Sequence, residues 1–259
     1  MDHEEYCARV SAEITQMASV AQGAAPTSPV PGCPGWDLAK LVKHTGIVHR
    51  WAAAVVATRA TAPIAANALD VGLPADPARY PQWLTAGGAS LVTVLREAGP
   101  ATDVWSWSPD TGPGSAWWAR RMLHETTVHR ADAQAAAGIE PSVDSVVAAD
   151  GIDEFLATAP RGSRPSKRLA ELPAGQSIHL HATDEGLGEA GEWLISLGYD
   201  GRGNGYTWSH GHAKGSLAVR GPAALLLLLA YGRIRADDGR LTFFGDRSLI
   251  TSWQEVMTL

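Results

Sequence analysis

The hydrophobic period of this chain changes once, and that change limits it to two kinds of structure joined end to end. Up to about residue 158 apolar residues recur every three or four positions, and beyond about 176 they begin to alternate. The first spacing lines one stripe of a helix, whereas the second lines one face of a strand. Between them PRGSRPSKRLAELPAG (160–175) is rich in proline, glycine and basic residues, a composition suited to a linker. The expectation is an α+β two-domain protein: a helical domain over 1–160, a linker over 161–175 and a small α+β domain over 176–259.

In the helical half, residues 4–22 carry Val10, Ile14, Met17 and Val20 at helical spacing, before GAAPTSPVPGCPGW (23–36) interrupts regular structure. Asp37 reads as an N-cap. The helix behind it runs to about 58 with Leu38, Leu41, Val42, Val48, Val55 and Val56. Further helices are expected over 77–98, over 115–137 with Gly138 as its C-terminal cap, and over 142–158. The first four, with long connections, suggest a four-helix bundle. In the second half SIHLHAT (177–183), EWLISL (192–197), GSLAVRG (215–221) and RLTFFGD (240–246) read as strands. PAALLLLLAYGR reads as a short apolar helix entered at Pro222, and 246–257 as a last helix.

Several function classes fall away. A net charge of −6 without a basic stripe argues against nucleic-acid binding. The longest apolar run, AALLLLLAY (223–231), is far short of the roughly 20 residues a membrane span needs. MDHEEYCARV lacks the apolar centre of a signal peptide, and Cys7 and Cys33 make no disulfide framework. A cytoplasmic protein is expected.

The chemistry concentrates in MLHETTVHRAD (122–132). Glu125 and His129 stand four apart on a helix, so they share a face and can reach one ion. His44 follows Leu41 by three and precedes Val48 by four, which directs it toward the bundle interior. His49 is five residues further on, about 140° around the axis, and the same arithmetic separates His124 from His129. The consistent set is His44, Glu125 and His129, two imidazoles and a carboxylate with an open fourth position. Zinc fits it, and so do iron and nickel. A satisfied core histidine explains the same spacing without a metal. HETTVH is not the zincin motif, because position 128 is Val. His179 with His181, and His210 with His212 if that segment is extended, form i, i+2 pairs that suit either metal binding or partly exposed strand positions beside Trp208. Cys33 reads as a packed loop cysteine or a reactive thiol.

CPGWDLAKLVKHTGIVHRWAAAVV (33–56) and LHETTVHRADAQAAAG (123–138) resemble the mycothiol-dependent maleylpyruvate isomerase family, within the DinB-like metalloenzymes. SIHLHATDEGLGEAGEWLI (177–195) and RGPAALLLLLAYGR (220–233) resemble that family's C-terminal domain. The resemblance implies a DinB-like four-helix bundle followed by a sterol-carrier-like α+β domain. It places a divalent metal, most often zinc, on His44, Glu125 and His129. Mycothiol, the small thiol of actinobacteria, is the implied cofactor or co-substrate, and a small electrophile the partner.

The activity implied is addition of that thiol to the electrophile, ending in S-transfer or in cis–trans isomerisation. Arg233 and then Arg220 are the expected anion-binding residues, while His49 and Asp132 are expected near the cofactor. Asp132 could instead pair with Arg121 or Arg130. Alternatives are maleylpyruvate isomerisation proper, or a non-catalytic metal or ligand carrier in which LLLLLAY lines a tunnel. A monomer or homodimer is expected.

Overall fold

Aspartates start the first two helices. In the computed structural model, which describes residues 1–108, 112–159, 171–198 and 205–257, Asp2 accepts from the Glu5 N–H ahead of α1 (His3–Gln22). Asp37 accepts from the Lys40 N–H ahead of α2 (Leu38–Ala57). Each side chain satisfies one of the orphan donors of a helix start. Helix α3 spans Tyr80–Ala98 and α4 spans Gly114–Ala136. The end of α4 is a Schellman motif on Gly138, whose φ of 71° suits glycine. The Gly138 N–H reaches Ala135 O at 3.1 Å and the Ile139 N–H reaches Gln134 O at 2.8 Å.

These four helices form the expected bundle. α1 and α2 each pack along α3 and α4 and lie diagonally opposite one another. Small residues let α2 and α3 close together. A Cβ on Gly46 would stand 2.1 Å from the Trp83 ring, and one on Gly87 2.1 Å from the Arg50 guanidinium. Arg50 fills that seam, stacked 3.9 Å over Trp83 and donating to Trp83 O (2.8 Å) and Gly46 O (3.1 Å). Next to Arg50 in sequence, Trp51 joins Trp105, Trp107, Trp117 and Trp118 in a cluster packed ring on ring, with centroids 4.8–6.2 Å apart.

The chain divides into compact units at Pro141/Ser142. Helix α5 (Ser145–Thr158) was expected with the bundle and instead belongs to the second unit. Its apolar side explains why: Phe155 stacks on Tyr231 at 4.2 Å, and Leu156 O accepts from Tyr206 Oη at 2.9 Å. Most of the expected linker, 160–170, lies outside the described residues.

The second unit holds β1 (Ser177–Ala182), β2 (Glu192–Leu197), β3 (Tyr206–His210), β4 (Leu217–Gly221), α6 (Ala223–Ala230), β5 (Thr242–Gly245) and α7 (Ser248–Met257). Strand order is β3-β2-β1-β4-β5, with β1 and β4 parallel and the other neighbours antiparallel. Strand β3 is an addition to the sequence reading. Register puts Ile178, Leu180, Trp193, Ile195, Leu217 and Val219 on one face, which the apolar α6 covers. Leu225 to Leu229 are all buried in that layer, so the apolar run fills a core. Among the described residues no helix is long and apolar enough to cross a membrane.

Candidate metal centre

Helix α4 carries Arg121, Glu125 and His129 at steps of four, one line along its length. Glu125 is the hub. Its Oε1 lies 3.2 Å from His129 Nε2 and 3.2 Å from His44 Nε2, which reaches across from α2. Its Oε2 pairs with the Arg121 guanidinium. Tetrahedral coordination with bonds of about 2.0–2.1 Å places neighbouring donors about 3.3–3.4 Å apart, so the observed spacing suits one small divalent ion. His44, Glu125 and His129 can each offer an atom, all within 4.8 Å of one another.

The charges are arranged to match. Burial alone would push the Glu125 carboxyl upward, but the Arg121 guanidinium and the hydrogen bonds from His129 and His44 hold it well below the usual carboxylate range. Burial would lower His129, yet Asp132 and Glu125 on either side raise it to about 9. Asp132 Oδ2 lies 3.0 Å from His129 Nδ1 and also accepts from Cys33 Sγ at 3.5 Å. A carboxylate on Nδ1 fixes the tautomer that turns the Nε2 lone pair toward an ion.

That hydrogen bond also decides between two overlapping donor sets. Cys33, His129 and Asp132 are close enough to form a group of their own. Asp132 engages the ring nitrogen that faces away from Glu125, and its side chain is 1% exposed. It therefore acts as the orienting carboxylate, and the Nε2 set with His44 and Glu125 is the better ligand group.

His44 lies differently from the sequence reading. Its side chain is 38% exposed, at the rim rather than the interior. The buried face of α2 is instead Leu38, Leu41, Val42, Thr45, Gly46, His49, Ala52, Ala53, Val55 and Val56, with Val48 only half-buried. His49 is the core histidine. Thr126 Oγ1 donates to Met122 O, so it accepts from His49 Nε2–H at 2.9 Å. Burial drops the His49 pKa to about 3, which keeps the ring neutral. His124, also buried, is not among the grouped donors.

Trp36 and Arg121 were not assigned to the site from sequence, and Cys33 was read there only as a packed loop cysteine or a reactive thiol. Trp36, in the loop before α2, sits edge-on to His44 at 5.1 Å and stacks on His129 at 6.5 Å, giving the site an aromatic wall. Cys33 approaches through the same loop, which doubles back through an Asp37–Pro29 bridge. Neither had a local signal. Arg121 did: it precedes Glu125 by the same four residues that separate Glu125 from His129. Arg130 pairs with Glu13 on α1 and with Gln134. Arg220 and Arg233 belong to the second unit; Arg220 is exposed on β4, and Arg233 Nη1 donates to Tyr231 O at 3.0 Å.

A bundle with an imidazole–carboxylate cluster, followed by a five-stranded α+β unit, defines a two-domain protein of the DinB-like kind. Residues 7–134 match the family model for the mycothiol maleylpyruvate isomerase N-terminal domain, and residues 146–251 match the model for the C-terminal domain of that family. The chain belongs to the mycothiol maleylpyruvate isomerase family. No curated protein and no solved structure gave a significant match.

Proposed function

We propose that this protein is a divalent-metal-dependent enzyme, zinc first, that activates the thiol of mycothiol against a small electrophilic substrate. Family membership supports a mycothiol-dependent isomerase or a related enzyme. The observation that carries the metal is the single oxygen of Glu125 at 3.2 Å from two imidazole nitrogens on different helices. Held by His44, Glu125 and His129, a divalent ion would lower the pKa of a thiol and so supply nucleophilic sulfur at neutral pH, for a reversible addition that isomerises a double bond or a lasting addition that transfers the sulfur.

The chain's own residues do the rest. Arg121 occupies Glu125 Oε2 and leaves Oε1 for the ion. Asp132 holds the Nδ1 proton of His129, so that Nε2 is the ring's ligand atom. The half-exposed His44 and the neighbouring Trp36 lie on the side of the cluster from which a thiol would enter. Neutral His49 supports α4 through Thr126 beside the site. Arg233 and Arg220 are proposed to bind an anionic group of substrate or mycothiol.

Metal analysis and a mycothiol-dependence assay test the reading together. Wild-type protein should carry a divalent ion on this site that His44→Ala or His129→Ala loses, and should turn over electrophiles only with mycothiol present. An isomerase leaves mycothiol unconsumed; a transferase depletes it and yields a conjugate. Protein that neither carries nor takes up metal at these residues overturns the proposal. Arg233→Met and Arg220→Met should raise KM with little change in kcat if either arginine contributes only uniform binding.

A further inference from the structure

The second unit contains another convergence of imidazoles on a carboxylate, away from the apolar core face. His179 and His181 lie on β1 at i, i+2 and therefore on the same side of the sheet, opposite the side of Ile178 and Leu180. Glu192 stands directly across from His181 in the β1–β2 register. The third imidazole comes from beyond β3. His210 still faces α5, where its Nε2 lies 3.2 Å from an Asp153 oxygen. Gly211, with a φ of 122°, then turns the chain and carries His212 to the other side. The i, i+2 pairing of His210 with His212 is thereby broken, and His212 joins the β1 histidines instead.

The atoms converge closely. Glu192 Oε2 lies 2.8 Å from His179 Nε2 and 2.8 Å from His212 Nδ1, and Oε1 lies 3.2 Å from His181 Nδ1. One ligand atom from each of the four residues lies within 4.8 Å of the others. Ring centroids are 5.3–6.1 Å apart and the rings are mutually steep, at 74–88°, as rings are when they point at a common centre from different directions. His179 is 3% exposed and Glu192 17%, so the floor is shielded, while His212, 76% exposed, joins from the solvent side.

We propose that His179, His181, Glu192 and His212 form a second divalent transition-metal site, distinct from the bundle site and structural in role. Three imidazoles with one carboxylate suit zinc, and four protein ligands leave no open position for substrate. The ion ties the turn after β3 to β1 and β2. The site shares no residue with the bundle cluster and takes no part in mycothiol chemistry.

The test uses the full-length chain with zinc as the probe. Zinc stoichiometry is measured for wild type, for His44→Ala or His129→Ala, for His212→Ala, and for the combination with either bundle variant. Each single change should remove one zinc per chain and the combination should leave none. Zinc should also slow hydrogen exchange in residues 211–216 of the bundle variants, and His212→Ala should abolish that protection. His212 is exposed, so its removal leaves the core untouched; Glu192→Gln gives the same stoichiometry test with side-chain volume nearly kept. The proposal is overturned if the bundle variants bind no zinc, or if His212→Ala and Glu192→Gln retain the wild-type stoichiometry.

Discussion

Asp132 decides what His129 can do. The carboxylate at 3.0 Å from Nδ1 holds a proton there, and together with Glu125 it raises the His129 pKa to about 9. An ion must displace a proton from Nε2 at neutral pH, so metal affinity should rise with pH up to about 9, with proton release seen by calorimetry in buffers of different ionisation enthalpy. Asp132→Asn keeps the shape and loses the charge. Orienting carboxylates of this kind typically contribute about 10–100-fold in metal affinity or activity, and a loss of that size is expected here. Unchanged affinity would show that Asp132 serves only its contact with Cys33. His49 behaves in the opposite sense. Its folded-state pKa of about 3 lies below the unfolded value of about 6.5, so the unfolded chain takes the proton first as pH falls. The stability it contributes is complete above pH ~6.5 and is lost toward pH ~3, at up to about 1.4 kcal/mol per pH unit. Urea unfolding of wild type and His49→Leu across that range should show the steeper decline in wild type. Equal slopes would mean that another group drives acid sensitivity.

At the scale of elements, the α2–α3 seam sets the position of His44, two residues before Gly46. Alanine normally favours a helix interior over glycine by about 1 kcal/mol. Here the added methyl meets the Trp83 ring at 2.1 Å, and overpacking of a core typically costs about 1–3 kcal/mol. Gly46→Ala is therefore expected to destabilise by about 1–3 kcal/mol and to weaken metal binding by moving His44. Adding Trp83→Leu should recover part of the loss of the single variant, a coupling that a double-mutant cycle reads directly. The same helix shows what was legible beforehand. Periodicity found the helices within a few residues, and i, i+4 spacing paired Glu125 with His129, because both signals are local; His44 joined them in the sequence reading only through its place on the α2 stripe and the family resemblance. Periodicity misjudged the rotation of α2, since Val48 and His49 are adjacent and only packing against α4 decides which is buried. Trp36 was invisible, and Cys33 was readable only as a loop cysteine or a reactive thiol, because a proline- and glycine-rich loop has no period to place either beside His129. On the sheet, HLH was readable as a pair of neighbours, but Glu192 and His212 joined it only through strand register and the turn at Gly211.

The molecule as a whole consists of two compact units meeting in sequence at Pro141/Ser142, and each has its own polar cluster. His44, Glu125, His129 and Asp132, with Arg121, Trp36 and Cys33 around them, all come from within residues 1–141. Every described helix of the bundle begins and ends there too, including the Schellman cap at Gly138 that closes α4. A fragment of residues 1–141 should then fold and bind a zinc ion that His129→Ala removes. A fragment cut at 160 would instead carry α5 without the α6 layer that buries Phe155 and Leu156. Burying such side chains is worth about 1.5–3 kcal/mol each, so the longer fragment exposes apolar surface that the shorter one lacks. The 1–141 fragment is thus expected to be the more soluble of the two and to bind zinc as tightly as full-length protein in which His212 has been replaced. Its thermal transition should rise with added zinc, because an ion bound only by the folded state stabilises it in proportion to the logarithm of its concentration. A 1–141 fragment that folds but has lost zinc affinity would mean that the second unit completes the bundle site, and the ligand set of His44, Glu125 and His129 would then have to be enlarged.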